Sequence, residues 1–458
     1  MPEKDGLRVV FTGHTGLKKR NVLERLAEHI FSQDNDWCER ARLTNPQVRK
    51  NREKELVGIY GAEDQLENDT FLKQAERDQQ RLWRASFLDA MDSWRSADPK
   101  PHYAFLSLHL TYQIYSQFFS PLAWKIPGHE HPPDPQNVLV KYLREFKPHY
   151  IVTLIDDVHL VQRRIRENKY DFRLVELLRW RNVETLMTDI LAQQVISEVY
   201  RREDSEKYPF EHSPVVAIRH PRNMLFKFLS KPELPRIYAS YPISEPRRIA
   251  DDTGSKNSID EINRFREFLH DRFTVFDPVT IDERPMQLLL GQPDRNDEDK
   301  LTLPADAWWP TQGNNSLGGE GLIEIPDLLV SDVKEIATEI GHESSEIDRQ
   351  IRSRDFRLID QADCVVVYRP TYCKERWSMG THSEMLYAQD TGKRVFVICD
   401  PDADGPLNKP PFQVDIPMRD IFDNVTGLDN PDNQKIILEK VSNEIEMIRA
   451  KLTQRRLR

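Results

Sequence analysis

Short apolar runs punctuate a very polar chain, and stretches with helical spacing lie between them. The runs are LRVVFT (7–12), YAFLSLHL (103–110), YIVTLI (150–155), PVVAI (214–218), RIYASYPIS (236–244), TVFDPV (274–279), DCVVVY (363–368) and RVFVICD (394–400). They are short, rich in Val, Ile and aromatic residues, and bounded by Gly, Pro or Asp, which predicts buried strands. Apolar residues recur every three or four positions in 21–31, in 258–273, in 380–392 and in the amphipathic, basic-tailed segment 434–458. Residues 37–99, the arginine-rich region after Asp157, and 327–358 also read mainly as helices. Strands alternating with helices predict an α/β chain of mainly parallel sheets flanked by helices.

Punctuation divides the chain in two. Two prolines in SKPELPR place a boundary around 228–236, giving domains over 1–228 and 236–458. Residues 127–137 are a proline-rich loop, and 291–322, rich in Gly, Pro, Asp and Asn, read as an insertion or lid in the second domain. A length of 458 residues suits two domains, and 38% hydrophobic against 31% charged residues allows buried cores under a polar surface.

Charge and cysteine usage narrow the setting. A net charge of −10 argues against broad duplex nucleic-acid binding, which relies on Lys and Arg to neutralise phosphates. Cys38, Cys364, Cys373 and Cys399 form no CxxC pair, so neither a zinc ribbon nor a disulfide framework is expected, and reduced thiols suit the cytoplasm. No run approaches the length of a membrane span, and the N-terminus carries no signal-peptide pattern.

After the first strand comes Gly13-His14-Thr15-Gly16-Leu17-Lys18-Lys19-Arg20 and then a helix. Strand, glycine loop and helix open many nucleotide-binding α/β domains. Against the GxxxxGK[ST] pattern, Gly13 and Lys19 fit, Lys18 replaces the second glycine, and Arg20 replaces the magnesium-binding hydroxyl. With Asp156-Asp157 ending a later strand and arginines downstream, residues 7–228 resemble an adenylate-kinase-type P-loop nucleotide kinase with a degenerate loop. The resemblance implies that Gly13, Gly16, Lys18, Lys19 and Arg20 bind phosphate, that Arg163, Arg164, Arg179 and Arg181 clamp it, and that Asp156 and Asp157 support Mg²⁺. A solvated helix and an ordinary glycine turn would account for the same residues. So would a loop that binds a nucleotide without turning it over.

The second half holds an ordered set: Asp355, Asp363 before DCVVVY, then Ser378-Met-Gly380-Thr-His382-Ser-Glu384-Met-Leu-Tyr387-Ala388. A carboxylate beside the strand ends of an α/β sheet lies where such folds bind small ligands. With Tyr238 in the first strand, residues 236–400 resemble the nucleoside 2-deoxyribosyltransferase family, whose sheet is flavodoxin-like. The resemblance implies that Glu384, expected in the first turn of its helix, is a nucleophile at the anomeric carbon, and that Asp355 contacts the base. Tyr238, Asp363, Ser378, Gly380, His382 and Tyr387 would line the substrate, with Tyr387 able to bond Glu384. Ser378 departs from the family's usual aspartate, which leaves the sugar and the choice between transfer and hydrolysis open. A nucleoside or nucleotide substrate and a homo-oligomer are implied by the same resemblance. Cleavage gated by a nucleotide-binding domain would suit nucleotide-pool control or phage defence. A nucleotide kinase or bifunctional phosphotransferase, and a non-catalytic nucleotide sensor, remain open beside it.

Overall fold

The computed structural model describes residues 6–33, 56–61, 76–98, 100–114, 117–123, 138–167, 170–199, 213–220, 222–246, 257–281, 300–301, 328–329, 338–339, 341–342, 344–369 and 378–398, with scattered positions between 435 and 447. Two units emerge, 1–219 with 334–347, and 220–333 with 348–458. The first crossing falls between Arg219 and His220, one short helix before the boundary expected at 228–236. The expected loop at 127–137 lies outside the described residues, as do most of 291–322 and most of 434–458.

In the first unit, β1 (Leu7–Thr12) leads into α1 (Lys19–Gln33), and β2 (Val57–Gly61) into α2 (Glu76–Ser96). Then come β3 (Tyr103–Ser107) and a small hairpin of β4 (Tyr112–Ile114) and β5 (Gln117–Phe119). The helix α3 (Val138–Phe146), β6 (Tyr150–Ile155), α4 (Val158–Glu167), α5 (Leu174–Val199) and β7 (Val215–Ala217) follow. The sheet order is β2-β3-β1-β6-β7, every pair parallel. Every residue of β3 and β6 is buried, as expected of parallel strands covered on both faces. Trp83, Phe87 and Met91 of α2, Leu143 and Phe146 of α3, and Leu191 and Val195 of α5 pack over Val10, Leu106 and Ile151. The strand β2 corrects the helical reading of 37–99. Its five residues form a half-buried edge strand, too short and too weakly apolar to stand out among charged neighbours.

The segment 334–347 belongs with this unit through Glu339. Its carboxylate accepts the Leu174 N–H at 2.5 Å and the Gln162 amide at 3.0 Å.

The second unit contains α6 (Arg222–Ser230), β8 (Arg236–Ser240), α7 (Asn257–Arg272) and β9 (Thr274–Phe276). A two-residue antiparallel pair follows, β10 (Lys300–Leu301) with β11 (Leu328–Leu329). Then come α8 (Ser344–Gln361), which belongs to this unit from Asp348 onward, β12 (Cys364–Tyr368), α9 (Met379–Asp390) and β13 (Arg394–Ile398). The sheet order is β13-β12-β8-β9, all parallel. In chain order these strands lie 2-1-3-4, the flavodoxin-like order through its fourth strand, and the order reverses between β8 and β12.

Side-chain alternation sorts the two faces of this sheet. Ile237, Ala239, Tyr241, Val275, Cys364, Val366 and Phe396 pack with Ile262, Phe265 and Leu269 of α7. Tyr238 and Ser240 therefore project from the opposite face. No described helix is long and apolar enough to cross a membrane.

Candidate functional site

At the β8/β12 switch point the structure gathers Tyr238, Ser240, Asp355 and Glu384. The Glu384 side chain leaves α9 toward the end of β8. Its Oε1 accepts the Tyr238 phenol at 3.0 Å, and its Oε2 accepts the Ser240 hydroxyl at 2.5 Å. Tyr238 and Ser240 are two residues apart on one strand, so the pleat points both at the same carboxyl group. Tyr238 and Ser240 are fully buried and Glu384 is 9% exposed. The site lies at the C-terminal end of β8, the end of a parallel sheet at which open α/β folds commonly hold ligands.

Burial and the neighbouring Asp355 charge push the Glu384 carboxyl up to about 8, against the opposing pull of Ser240, Tyr238 and Arg354. Asp355 sits on α8, buried, with its Oδ1 accepting Arg354 Nε at 3.2 Å and Nη2 at 3.1 Å. The Tyr238 hydroxyl is pushed well above its ordinary value by burial and then by the Asp355 and Glu384 carboxylates, so it serves as a donor.

The local sequence explains the arrangement. Ser378 is the N-cap of α9, its Oγ accepting the Thr381 N–H at 3.1 Å. The helix begins at Met379, so Glu384 is its sixth residue and lies beyond the first turn. This corrects the expected first-turn placement, and hydroxyl contacts rather than the helix end hold the carboxyl group. Gly380 is exposed, and a Cβ there would meet nothing within 4 Å, so no close approach requires glycine. His382 is partly exposed, and burial lowers its pKa.

Two expected substrate residues have other partners. Tyr387 stacks on Phe356 with centroids 4.1 Å apart, and its hydroxyl donates to Asp360 at 2.9 Å and 3.0 Å. It fastens the helix of Glu384 to the helix of Asp355 and does not bond Glu384. Asp363 accepts the Arg236 N–H at 2.8 Å, where β8 and β12 begin. That is the end of the parallel sheet opposite to Ser240, so Asp363 caps strands away from Glu384. Ser240 and Arg354 were absent from the expected set. Period-two alternation from Tyr238 points to Ser240, whereas nothing beyond adjacency to Asp355 marks Arg354.

In the first unit the loop after β1 is held from inside. Gly13 has φ 142°, and a Cβ there would lie 2.7 Å from the Leu154 carbonyl, while Gly16 has φ 88°. Lys18, where the P-loop pattern wants glycine, keeps a left-handed φ of 49°. A non-glycine residue in that conformation costs roughly 1–2 kcal/mol. Lys19 is buried, its Nζ donating to the Gly13 carbonyl at 2.7 Å and lying 3.0 Å from His109 Nδ1. Glu184 accepts the Gly13 and Leu110 N–H groups, each at 3.0 Å, and the Thr111 hydroxyl. Burial raises the Glu184 carboxyl and lowers His14 to about 4.

The expected metal pair is occupied by arginines. Asp156 binds Arg164 at 2.8 Å and Arg219 at 3.1 Å, and Arg219 also reaches Asp157 at 2.8 Å. Burial works against Asp156, but Arg219 and Arg164 outweigh it and keep the carboxylate below its ordinary value. Among the described residues no group of three His, Cys, Asp or Glu could hold a metal ion. Of the expected clamp, Arg164 and Arg181 are buried near Asp156, with Arg181 Nη1 3.5 Å from its carbonyl. Arg179 is exposed, and Arg163 faces Glu167 at 3.8 Å. Lys18 is exposed, and Arg20, also exposed, pairs with Glu24 at 2.9 Å.

The chain matches no protein-family model and no curated protein.

Proposed function

We propose that the second unit cleaves the N-glycosidic bond of a nucleoside or nucleotide through Glu384, by hydrolysis or deoxyribosyl transfer. The carrying observation is the buried Glu384 carboxyl, held by Tyr238 and Ser240 beside Asp355 at the switch point of a parallel sheet. Breaking this bond puts positive charge on the sugar and negative charge on the departing base. A carboxylate fixed at the anomeric carbon traps or shields the cation, as in retaining glycosidases. Two hydroxyl donors fix the orientation of Glu384, which supplies the near-attack geometry.

The two carboxyl groups divide the work. Glu384 reacts in its ionised form, which developing positive charge at C1′ favours, and Asp355 on the base side relays a proton from water to the departing base. Attack forms the Glu384–C1′ ester as the C1′–N bond breaks. Water or an acceptor base then opens the ester.

The test is chromatographic. Purified protein is incubated with nucleosides, nucleotides and NAD, beside Glu384→Gln. Base released by the wild type alone supports the reading. Equal release by both proteins removes Glu384 from the reaction.

A second reading concerns the first unit, which we propose binds a nucleotide and regulates base removal. Lys18 keeping a glycine-type backbone at the start of α1 favours a phosphate-facing loop. The arginines on Asp156 and Asp157 favour binding over magnesium-dependent phosphotransfer. Calorimetric titration with nucleoside mono-, di- and triphosphates, against Lys18→Ala, tests it, and an absence of heat for all of them rejects it. Such an assembly would act on a nucleotide pool, including during phage attack.

A further inference from the structure

We infer that Tyr241 and Asp277 form a clamp that positions the end of β8, and with it the Ser240 hydroxyl on Glu384. The inference rests on the reading of Glu384 as the reacting carboxyl group.

The β8–β9 ladder stops at Tyr238, paired with Phe276. Ser240 lies beyond it and is paired only with Val367 of β12. On the β9 side, a side-chain bond replaces the ladder. Asp277, the residue after β9, accepts the Tyr241 hydroxyl at 2.5 Å. It also accepts Arg266 Nε at 2.8 Å, His270 Nε2 at 3.3 Å and the Val279 N–H at 3.3 Å. Its own N–H donates to His220 Nε2 at 3.2 Å. Asp277 is fully buried, and Tyr241 and Arg266 nearly so.

The direction of the clamp matters. Tyr241 belongs to the face that packs on Phe265 of α7, while Tyr238 and Ser240 face Glu384. Tyr241 therefore pins the strand from behind, one residue after the hydroxyl that must not move. Packing alone does not call for a charged anchor there, because an apolar cluster of the same volume is often as stable as a buried ion pair. A buried carboxylate with four donors fixes one geometry, and an oxygen 2.5 Å from Glu384 tolerates little drift.

The groups that bear on a titration are known on both sides. Glu384 faces Tyr238 and Ser240 from β8, and Asp355 and Arg354 from α8. Asp277 faces Arg266 and His270 from α7, Tyr241 after β8, and His220 before α6. Lys227 of α6 binds the His270 carbonyl at 2.6 Å.

The experiment follows Glu384 ionisation by carboxyl infrared difference between each protein and its Glu384→Gln counterpart, with base release measured in parallel. Tyr241→Phe keeps the ring and removes the anchoring hydroxyl. The Glu384 titration is expected to rise by about one unit as the Ser240 bond loosens, and kcat to fall roughly tenfold at constant KM. A folded Tyr241→Phe protein with unchanged titration overturns the clamp. Asp277→Asn should give the same shift in the same direction, and if it does not fold, Tyr241→Phe alone decides. Shifted titration with no base release from any wild-type incubation supports the clamp and overturns the glycosidase reading, so the two failures are separable.

Discussion

Tyr238 and Glu384 are 146 residues apart in sequence and joined by a 3.0 Å hydrogen bond from the phenol to the carboxyl oxygen. With Ser240 on the second oxygen, the carboxyl group has both faces oriented by one strand. Glu384→Gln keeps the shape and removes the nucleophile. Base release should fall by roughly 10³-fold or more, read by chromatography of the free base, with little change in substrate binding.

The raised Glu384 pKa sets a pH dependence. Attack needs the ionised form, so base release should increase with pH through about 8 and level off above it. Ser240 donates to the ionised form and lowers the value, so Ser240→Ala should move the rising limb to higher pH. A rate that declines through the same range would assign Glu384 the role of proton donor.

Stability runs opposite to rate. Glu384 binds its proton more tightly folded than unfolded, so its contribution is fully present below the unfolded value near 4.5 and is lost as pH rises through about 8. Glu384→Gln cannot ionise. It should melt higher than wild type at alkaline pH, by roughly 2 kcal/mol, and the gap should close in mild acid, as followed by circular dichroism.

Asp277 runs the other way. Burial opposes its charge, but Arg266, His270 and Tyr241 hold the carboxylate well below its ordinary range. Its stabilisation is present above the unfolded aspartate value of about 4 and is lost only as pH falls toward the lower folded value. Arg266→Met leaves that charge buried without its main partner and should cost roughly 3–5 kcal/mol near neutral pH, shrinking in acid, by urea unfolding.

The first unit offers a comparison at Glu184. Glu184→Ala strips the acceptor from Gly13, Leu110 and Thr111 together and should cost roughly 2–4 kcal/mol. Glu184→Gln keeps one acceptor oxygen for the two backbone donors, and the Thr111 hydroxyl can rotate to accept. Its loss should be no more than about 1 kcal/mol. Equal losses in denaturant titration would show that the carboxylate charge itself holds the loop.

Much of the architecture was legible because parallel strands are buried on both faces and so read as continuous apolar runs. The runs at 150–155 and 363–368 correspond to β6 and β12 almost residue for residue. The edge strand β2 was not, since it is only half covered and its sequence lacks that density. Glu384, Asp355 and Tyr238 were singled out through the family resemblance, and the structure brings their side chains together. Their partners were less visible. Tyr387 follows Glu384 at helical spacing, yet stacking on Phe356 turns its hydroxyl to Asp360. Spacing tells which residues share a face, not which neighbour the fold brings to that face. Asp363 reads equally as ligand or strand cap until the ends of the sheet are known.

The return of 334–347 to the first unit has a practical meaning for anyone wishing to take the chain apart. No single cut yields two self-sufficient halves. A fragment ending at Arg219 would lack Glu339, leaving the Leu174 N–H at the start of α5 without that acceptor and the Gln162 amide of α4 with the Phe172 carbonyl. The two units are thus tied by the path of the backbone, whatever each does chemically, and would be inherited, expressed and lost together.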